Sequence, residues 1–133
     1  MSILTRDEIF REIAAGHIQI EPYDPATVGP ASVDLHLGSE FRVFRKAREV
    51  IRVTEETDYE TVTEKVHADD GLMIVPGETV LGITREQITL APHLCGWLEG
   101  RSRFARLGLL VHVSASFMQP GIANKQCMEL SNF

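Results

Sequence analysis

Apolar residues in this chain recur at every second position in short runs, each closed by a turn residue, and this period limits the fold more than any other feature. His17-Ile18-Gln19-Ile20 alternates, Val33-Asp34-Leu35-His36-Leu37 alternates again, and residues 41–44 continue the pattern. Further strands are expected at residues 72–75, 79–84, 94–98 and 109–113, punctuated by Pro76-Gly77, Pro92 and Gly100. Successive side chains of a strand point to opposite faces, so a period of two with frequent turns predicts a mainly β sandwich or barrel. One helix is expected before the strands. Thr5 is placed to cap it, Asp7 and Glu8 lie in its first turn, Ile9, Phe10 and Ile13 form its inner face, and it runs to about Ala14 before Gly16. Residues 45–70 are dense in charge without a glycine or proline, and read as edge strands or a long exposed hairpin.

With 133 residues, 44% of them hydrophobic, the chain suffices for a single domain over 1–133 with its own core. A formal net charge of −6 excludes a general nucleic-acid binder, so any phosphate site must be local. No apolar run approaches the roughly 20 residues of a membrane-spanning helix, and the N-terminus lacks a basic segment followed by an apolar one. A soluble cytoplasmic protein without a membrane or nucleic-acid polymer as partner is therefore expected. Cys95 and Cys127 stand apart in apolar surroundings and are expected to be small buried thiols. Trp97, alternating with Cys95 and Glu99, is expected in the core.

Two stretches carry chemistry. Glu99-Gly100-Arg101-Ser102-Arg103-Phe104-Ala105-Arg106-Leu107-Gly108 places guanidinium groups and a hydroxyl on a short glycine-bounded turn. If 102–106 forms a helical turn, Ser102 and Arg106 share a face while Phe104 and Leu107 turn into the core. Free N–H groups and arginine forks suit an anion, but an ordinary N-cap with surface arginines explains the residues equally well. Glu129 lies between apolar neighbours in Cys127-Met128-Glu129-Leu130, on the strand face it shares with Cys127 and Ser131. Buried, it would have a raised pKa suited to moving protons; the strand alone favours a solvent-facing glutamate. His93 precedes Cys95 without a second cysteine at ligand spacing, and neither H-x-E nor P-C-x-x-C occurs, which argues against a zinc hydrolase site. Histidine titrates near neutral pH, so His112 invites a catalytic role, Asp34 reads as a strand-end carboxylate that fixes the fold, and Phe117 serves either packing or base stacking.

Several motifs in order extend these readings. From Gly100 to Gly108, then through Val111-His112-Val113-Ser114-Ala115, Gln119-Pro120-Gly121 and Glu129-Leu130-Ser131-Asn132, the chain resembles the dCTP deaminase branch of the dUTPase superfamily. Ile3-Leu4-Thr5 with Asp7, Pro30-Ala31-Ser32-Val33-Asp34-Leu35-His36-Leu37-Gly38 and Pro76-Gly77-Glu78-Thr79-Val80-Leu81 fit as well. The resemblance implies a distorted jelly-roll β-barrel of the dUTPase-like type, assembled as a homotrimer with sites at subunit interfaces. It implies deamination of dCTP to dUTP and ammonia, with Glu129 as proton carrier and Ser102 and Arg106 organising the water and the cytosine. Arg101 matches a phosphate contact, and the backbone of Val113 to Ala115 matches the base-reading strand. Magnesium is expected on the substrate's phosphates and zinc is not. Arg103 replaces a small residue of the phosphate turn, where it adds a phosphate contact or narrows the pocket. Gln119 replaces an aspartate that activates water in dUTPases and lies near the deoxyribose in deaminases, which weakens the alternatives of a dUTPase or a bifunctional deaminase and pyrophosphatase. A non-catalytic nucleotide-binding paralogue is a further alternative. Family members are expected to continue beyond Phe133, so the domain is C-terminally short.

Overall fold

A computed structural model describes residues 2–46 and 50–133; positions 47–49 of the charged segment lie outside the described residues. The N-terminal helix forms as expected, α1 (Arg6–Ala14), with Ile9 buried beneath it. Thr5 occupies the cap position, but its hydroxyl makes no capping bond; its carbonyl accepts from the Ile9 N–H at 2.8 Å. Eight strands follow among the described residues: β1 (Ile18–Glu21), β2 (Leu37–Phe44), β3 (Thr63–His67), β4 (Thr79–Leu90), β5 (Gly96–Trp97), β6 (Leu109–Val111), β7 (Phe117–Met118) and β8 (Ala123–Asn132). A helical turn, α2 (Ser102–Ala105), separates β5 from β6.

All pairings are antiparallel. The main sheet has six strands in the order β3-β2-β4-β8-β6, with β1 also paired to β4, and β5 pairs with β7 in a second sheet. Charged β3 closes one edge of the main sheet, where Glu64 and Lys65 blunt further strand addition. The edge role expected for part of 45–70 is thus confirmed for β3.

Strand β4 is twice as long as its apolar alternation suggests. The expected strand covers 79–84, yet every second residue from Val80 to Leu90 is buried, through the polar Arg85-Glu86-Gln87. Two of these inward residues are polar, and both are satisfied. Thr84, fully buried, donates from Oγ1 to the Glu86 carbonyl and accepts from the Gln126 N–H, each at 2.8 Å. These bonds sit where the β4–β8 register shifts between Ile83 and Gln87, so the hydroxyl replaces lost ladder bonds. Glu86 accepts from the His36 backbone N–H at 2.9 Å and pairs with His36 Nδ1 at 2.7 Å. Burial raises the Glu86 pKa, but the bonds from His36 outweigh this and hold it below the usual glutamate value.

The core is built from Phe41, Val80, Met128 and Leu130, with Val43, Leu72, Ile74 and Leu109 packed against it. The expected strand at 72–75 is irregular instead. Its carbonyl at Ile74 accepts from the Asn132 side chain at 2.8 Å, a side-chain bond in place of a ladder, while Leu72 and Ile74 still face the core. The expected strand at 33–37 shrinks to a bridge between Val28 and Val33 ahead of β2. Cys95 and Cys127 are exposed, correcting the expectation of buried thiols: Cys127 lies on the β8 face opposite Met128 and Leu130. Trp97 is half exposed and packs on Phe117 at 5.4 Å between ring centroids, because its two-stranded sheet lies outside the main core.

Thr84→Val preserves shape while leaving the Gln126 N–H without its acceptor. It is expected to destabilise the fold by about 1–3 kcal/mol in urea unfolding, whereas Val53→Ala, at an exposed position, is expected to stay within about 0.5 kcal/mol.

Candidate active site

Strand β6 connects the arginine turn to the loop that reaches Glu129. Strand β6 pairs with the C-terminal end of β8, matching Leu109 with Asn132 and Val111 with Leu130, and α2 packs on β6. Gly100 lets the start of the turn lie against β6, since a Cβ there would lie 2.2 Å from the Val111 carbonyl oxygen. Gly108 takes φ +88°, a region costly for other residues, as the chain turns from α2 into β6. Its carbonyl accepts from the Phe133 N–H at 2.9 Å.

Ser102 opens α2 and Arg106 closes it, with the Arg106 N–H donating to the Ser102 carbonyl at 3.0 Å. The helical turn is therefore as expected. Ser102 is not its cap: Arg101 holds that position, without a side-chain capping bond. Ser102, Arg103 and Arg106 are all exposed, and the Arg103 guanidinium lies 5.3 Å from the centre of the Phe104 ring. Phe104 and Leu107 do not enter the core; Leu107 is 82% exposed, because α2 rests on the short edge strand β6 and has no described layer above it. Arg101 donates from Nη1 to Asp34 Oδ2 at 2.7 Å. Asp34 thus joins the turn to a cavity of about 260 Å³ also lined by Tyr23, His36, Arg85 and Glu86.

Glu129 sits on β8 opposite Leu81 of β4, half-buried, with its inward neighbours Met128 and Leu130 in the core as the strand parity predicts. The residue that defines its state is Ser114. Its backbone N–H donates to Oε2 at 2.7 Å, and its hydroxyl lies 3.1 Å from both carboxylate oxygens. The sequence offered no signal for this pair, because the contact follows from the turn after β6 rather than from spacing. His112, whose side chain is almost fully buried, stands with Nδ1 3.6 Å from Oε2. Its Nε2 is buried without a hydrogen-bond partner among the described residues.

These surroundings reverse the expected titration. Burial pushes the Glu129 carboxyl up, but the Ser114 N–H and hydroxyl, together with nearby His112, bring it below the usual glutamate value. Glu129 is therefore an ionised, oriented carboxylate near neutral pH, a proton acceptor before anything binds. Val113 and Ala115 flank Ser114 on the exposed loop, and Gln119 is exposed at the turn after β7. The loop thus brings Val113 and Ala115 beside Glu129's partner.

A folded-state pKa held below the unfolded one contributes stability above the ordinary glutamate range, and that contribution is lost as pH falls through the folded value. Ser114→Ala removes one of the donors. The Glu129 pKa, followed through its carboxyl carbon by NMR titration, is expected to rise toward the usual value; an unchanged titration would discard the role given to the hydroxyl.

Among the described residues, no helix is long and apolar enough to cross a membrane. A solved structure titled a 2'-deoxycytidine 5'-triphosphate deaminase, from Agrobacterium tumefaciens, superposes with a TM-score of 0.73 at 21% identity, covering 98% of this chain and 41% of that one. This likeness supports the mainly β, dUTPase-like fold. Curated relatives are closer in sequence. A protein of Parafrankia sp. (strain EAN1pec) named "dCTP deaminase, dUMP-forming" is 42% identical over 132 residues, 98% of this chain and 65% of the relative. One of the same name from Mycolicibacterium paratuberculosis is 42% identical over 132 residues, with 69% of its length covered. This chain thus spans about two thirds of such relatives. A family model described as dCTP deaminase-like matches residues 3–133, and with these relatives it establishes that the chain belongs to the dCTP deaminase-like family.

Proposed function

We propose that this chain carries the site that deaminates dCTP, with water replacing the exocyclic amine at C4 to give dUTP and ammonia. The observation that carries the proposal is Glu129, held ionised by Ser114 on the strand that β6 ties to the arginine turn. In this reading Glu129 takes the two protons of the water attacking C4 one after the other, delivering the first to the ring nitrogen and the second to the departing amine, which leaves as ammonia. Ser102 and Arg106 orient the water and the base, and Arg101 and Arg103 meet the phosphates. The backbone at Val113 and Ala115 reads the base edge, and Gln119 lies by the sugar. No zinc takes part in the step. Magnesium accompanies the substrate's phosphates, since it prefers oxygen ligands and retains waters. Arg101 meets the phosphates from a position already ordered by Asp34.

A second reading, in which the dUTP formed is hydrolysed onward to dUMP and pyrophosphate, is favoured by the names of the curated relatives. Gln119 weighs against it, because a neutral amide does not deprotonate the water needed at the α-phosphate. Supplying dCTP and dUTP separately with magnesium distinguishes the readings. Ammonia from dCTP without pyrophosphate supports deamination alone; pyrophosphate as well supports the bifunctional reading. Nucleotide binding without either product identifies a non-catalytic paralogue.

Assembly belongs to the same proposal. Leu107, Val113, Trp97 and Phe117 are exposed apolar residues around the arginine turn and the β5–β7 sheet, a distribution suited to burial between subunits of a homotrimer. Work in the cytoplasm fits a nucleotide substrate.

Glu129→Gln preserves shape but removes the proton acceptor. It is expected to lower ammonia release by about 100-fold or more while dCTP binding persists; a wild-type rate would remove Glu129 from the mechanism. Ser102→Ala and Arg106→Ala are expected to slow turnover as well, and zinc chelation is expected to leave it unchanged. Light scattering at micromolar concentrations is expected to give a trimer mass, and a monomer would refute the shared-site arrangement.

A further inference from the structure

At the far end of β4 from Glu129, three ligand-type side chains converge from separate segments: Glu12 in the last turns of α1, His17 just before β1, and His93 just after β4. Glu12 Oε2 lies 2.8 Å from His17 Nδ1 and 3.7 Å from His93 Nε2, and the donor atoms all fall within 4.8 Å of one another. The imidazoles meet edge to face with centroids 4.8 Å apart. Backbone bonds set this convergence. The His17 N–H donates to the Glu12 carbonyl at 2.9 Å, the Ala91 N–H donates to the His17 carbonyl at 2.8 Å, and Ile18 pairs with Leu90.

We propose that Glu12, His17 and His93 form a binding site for a divalent transition-metal cation, with Zn²⁺ as its ligand. Metal–ligand bonds of about 2.0–2.1 Å in tetrahedral geometry place donors about 3.3 Å apart. The two Glu12 distances bracket that spacing, so small side-chain rotations suffice. Two imidazoles and one carboxylate select Zn²⁺ and its transition-metal neighbours over Mg²⁺ or Ca²⁺, which favour all-oxygen sites. On binding, the proton shared between His17 Nδ1 and Glu12 leaves to solvent and the metal takes its place. Three protein ligands leave a fourth tetrahedral position for water, and His93 is more than half exposed on that side chain.

The site acts on the fold rather than on deamination. Leu81, which faces Glu129, and Leu90, beside His17, occupy opposite ends of the strand, a separation on the order of 25–30 Å at the usual rise per residue. A metal there would tie the C-terminal end of α1 to the β1–β4 pair and stabilise the folded state by mass action.

The test uses the full chain freed of metal, titrated with Zn²⁺ by calorimetry and with Co²⁺ by visible absorption. One equivalent is expected to bind wild type, with intense tetrahedral-type Co²⁺ bands and a Tm that rises with Zn²⁺ but not with Mg²⁺. Affinity is expected to fall at least about tenfold in His93→Ala and in Glu12→Gln, and to be unchanged in His67→Ala, an exposed histidine elsewhere paired with Asp69. Circular dichroism without metal checks that each variant folds, and the folded one decides if the other does not. Failure of wild type to take up stoichiometric Zn²⁺ at micromolar free metal would overturn the site, as would equal binding by wild type and the folded variants.

Discussion

The fold depends on the hydrogen-bond ladder of β4. This strand pairs with β1, β2 and β8, so both the N-terminal half of the chain and its C-terminal strand take their register from it. Its alternate residues form the buried row, including the core valine at position 80. That row also contains a threonine and a glutamate, which stay buried because each has partners of matching hydrogen-bonding capacity. Where the ladder breaks, the Thr84 hydroxyl bridges the gap, so continuity of the sheet rests on one buried polar atom as much as on apolar area.

Register also makes the candidate site. Glu129 is held on β8 by the β4 ladder, and β6 is held on the other side of the same strand, bringing the loop with Ser114 to the carboxylate. A carboxylate in a less polar setting would gain protons. Here two kinds of donor from one serine offset the loss of solvation and keep it ionised. In the proposed deamination, that balance lets Glu129 begin as the base. On the far end of β4 the same ladder brings His17 beside His93, so the strand organises two separated clusters of reactive side chains.

Sequence order explains why some elements were legible and others not. The helix at α1, the strand character of β1, β2, β6 and β8, and the helical turn at α2 all follow from periods of a few residues. Motif order in turn carried the family, from Gly100 to Asn132. Expected boundaries were lost where polar residues interrupt a buried row, as at Arg85-Glu86-Gln87, or where side chains replace ladder bonds, as at Ile74. Burial was misjudged for Trp97, Cys127, Phe104 and Leu107 for a related reason. An apolar residue becomes core when another layer lies over it, and local alternation does not say whether that layer exists.

The sequence by itself determined the mainly β class, the inward parity of Met128 and Leu130 with Glu129 facing away, and the motifs that define the family. These are properties of neighbours along the chain, set by backbone geometry over a handful of residues. Tertiary structure decided that β4 runs through its polar stretch, that Ser114 holds and orients the Glu129 carboxylate, and that Glu12, His17 and His93 meet. Each of those outcomes depends on register between distant segments. A hydrogen bond acts over about 3 Å, and only the assembled sheet brings atoms so far apart in sequence within that reach.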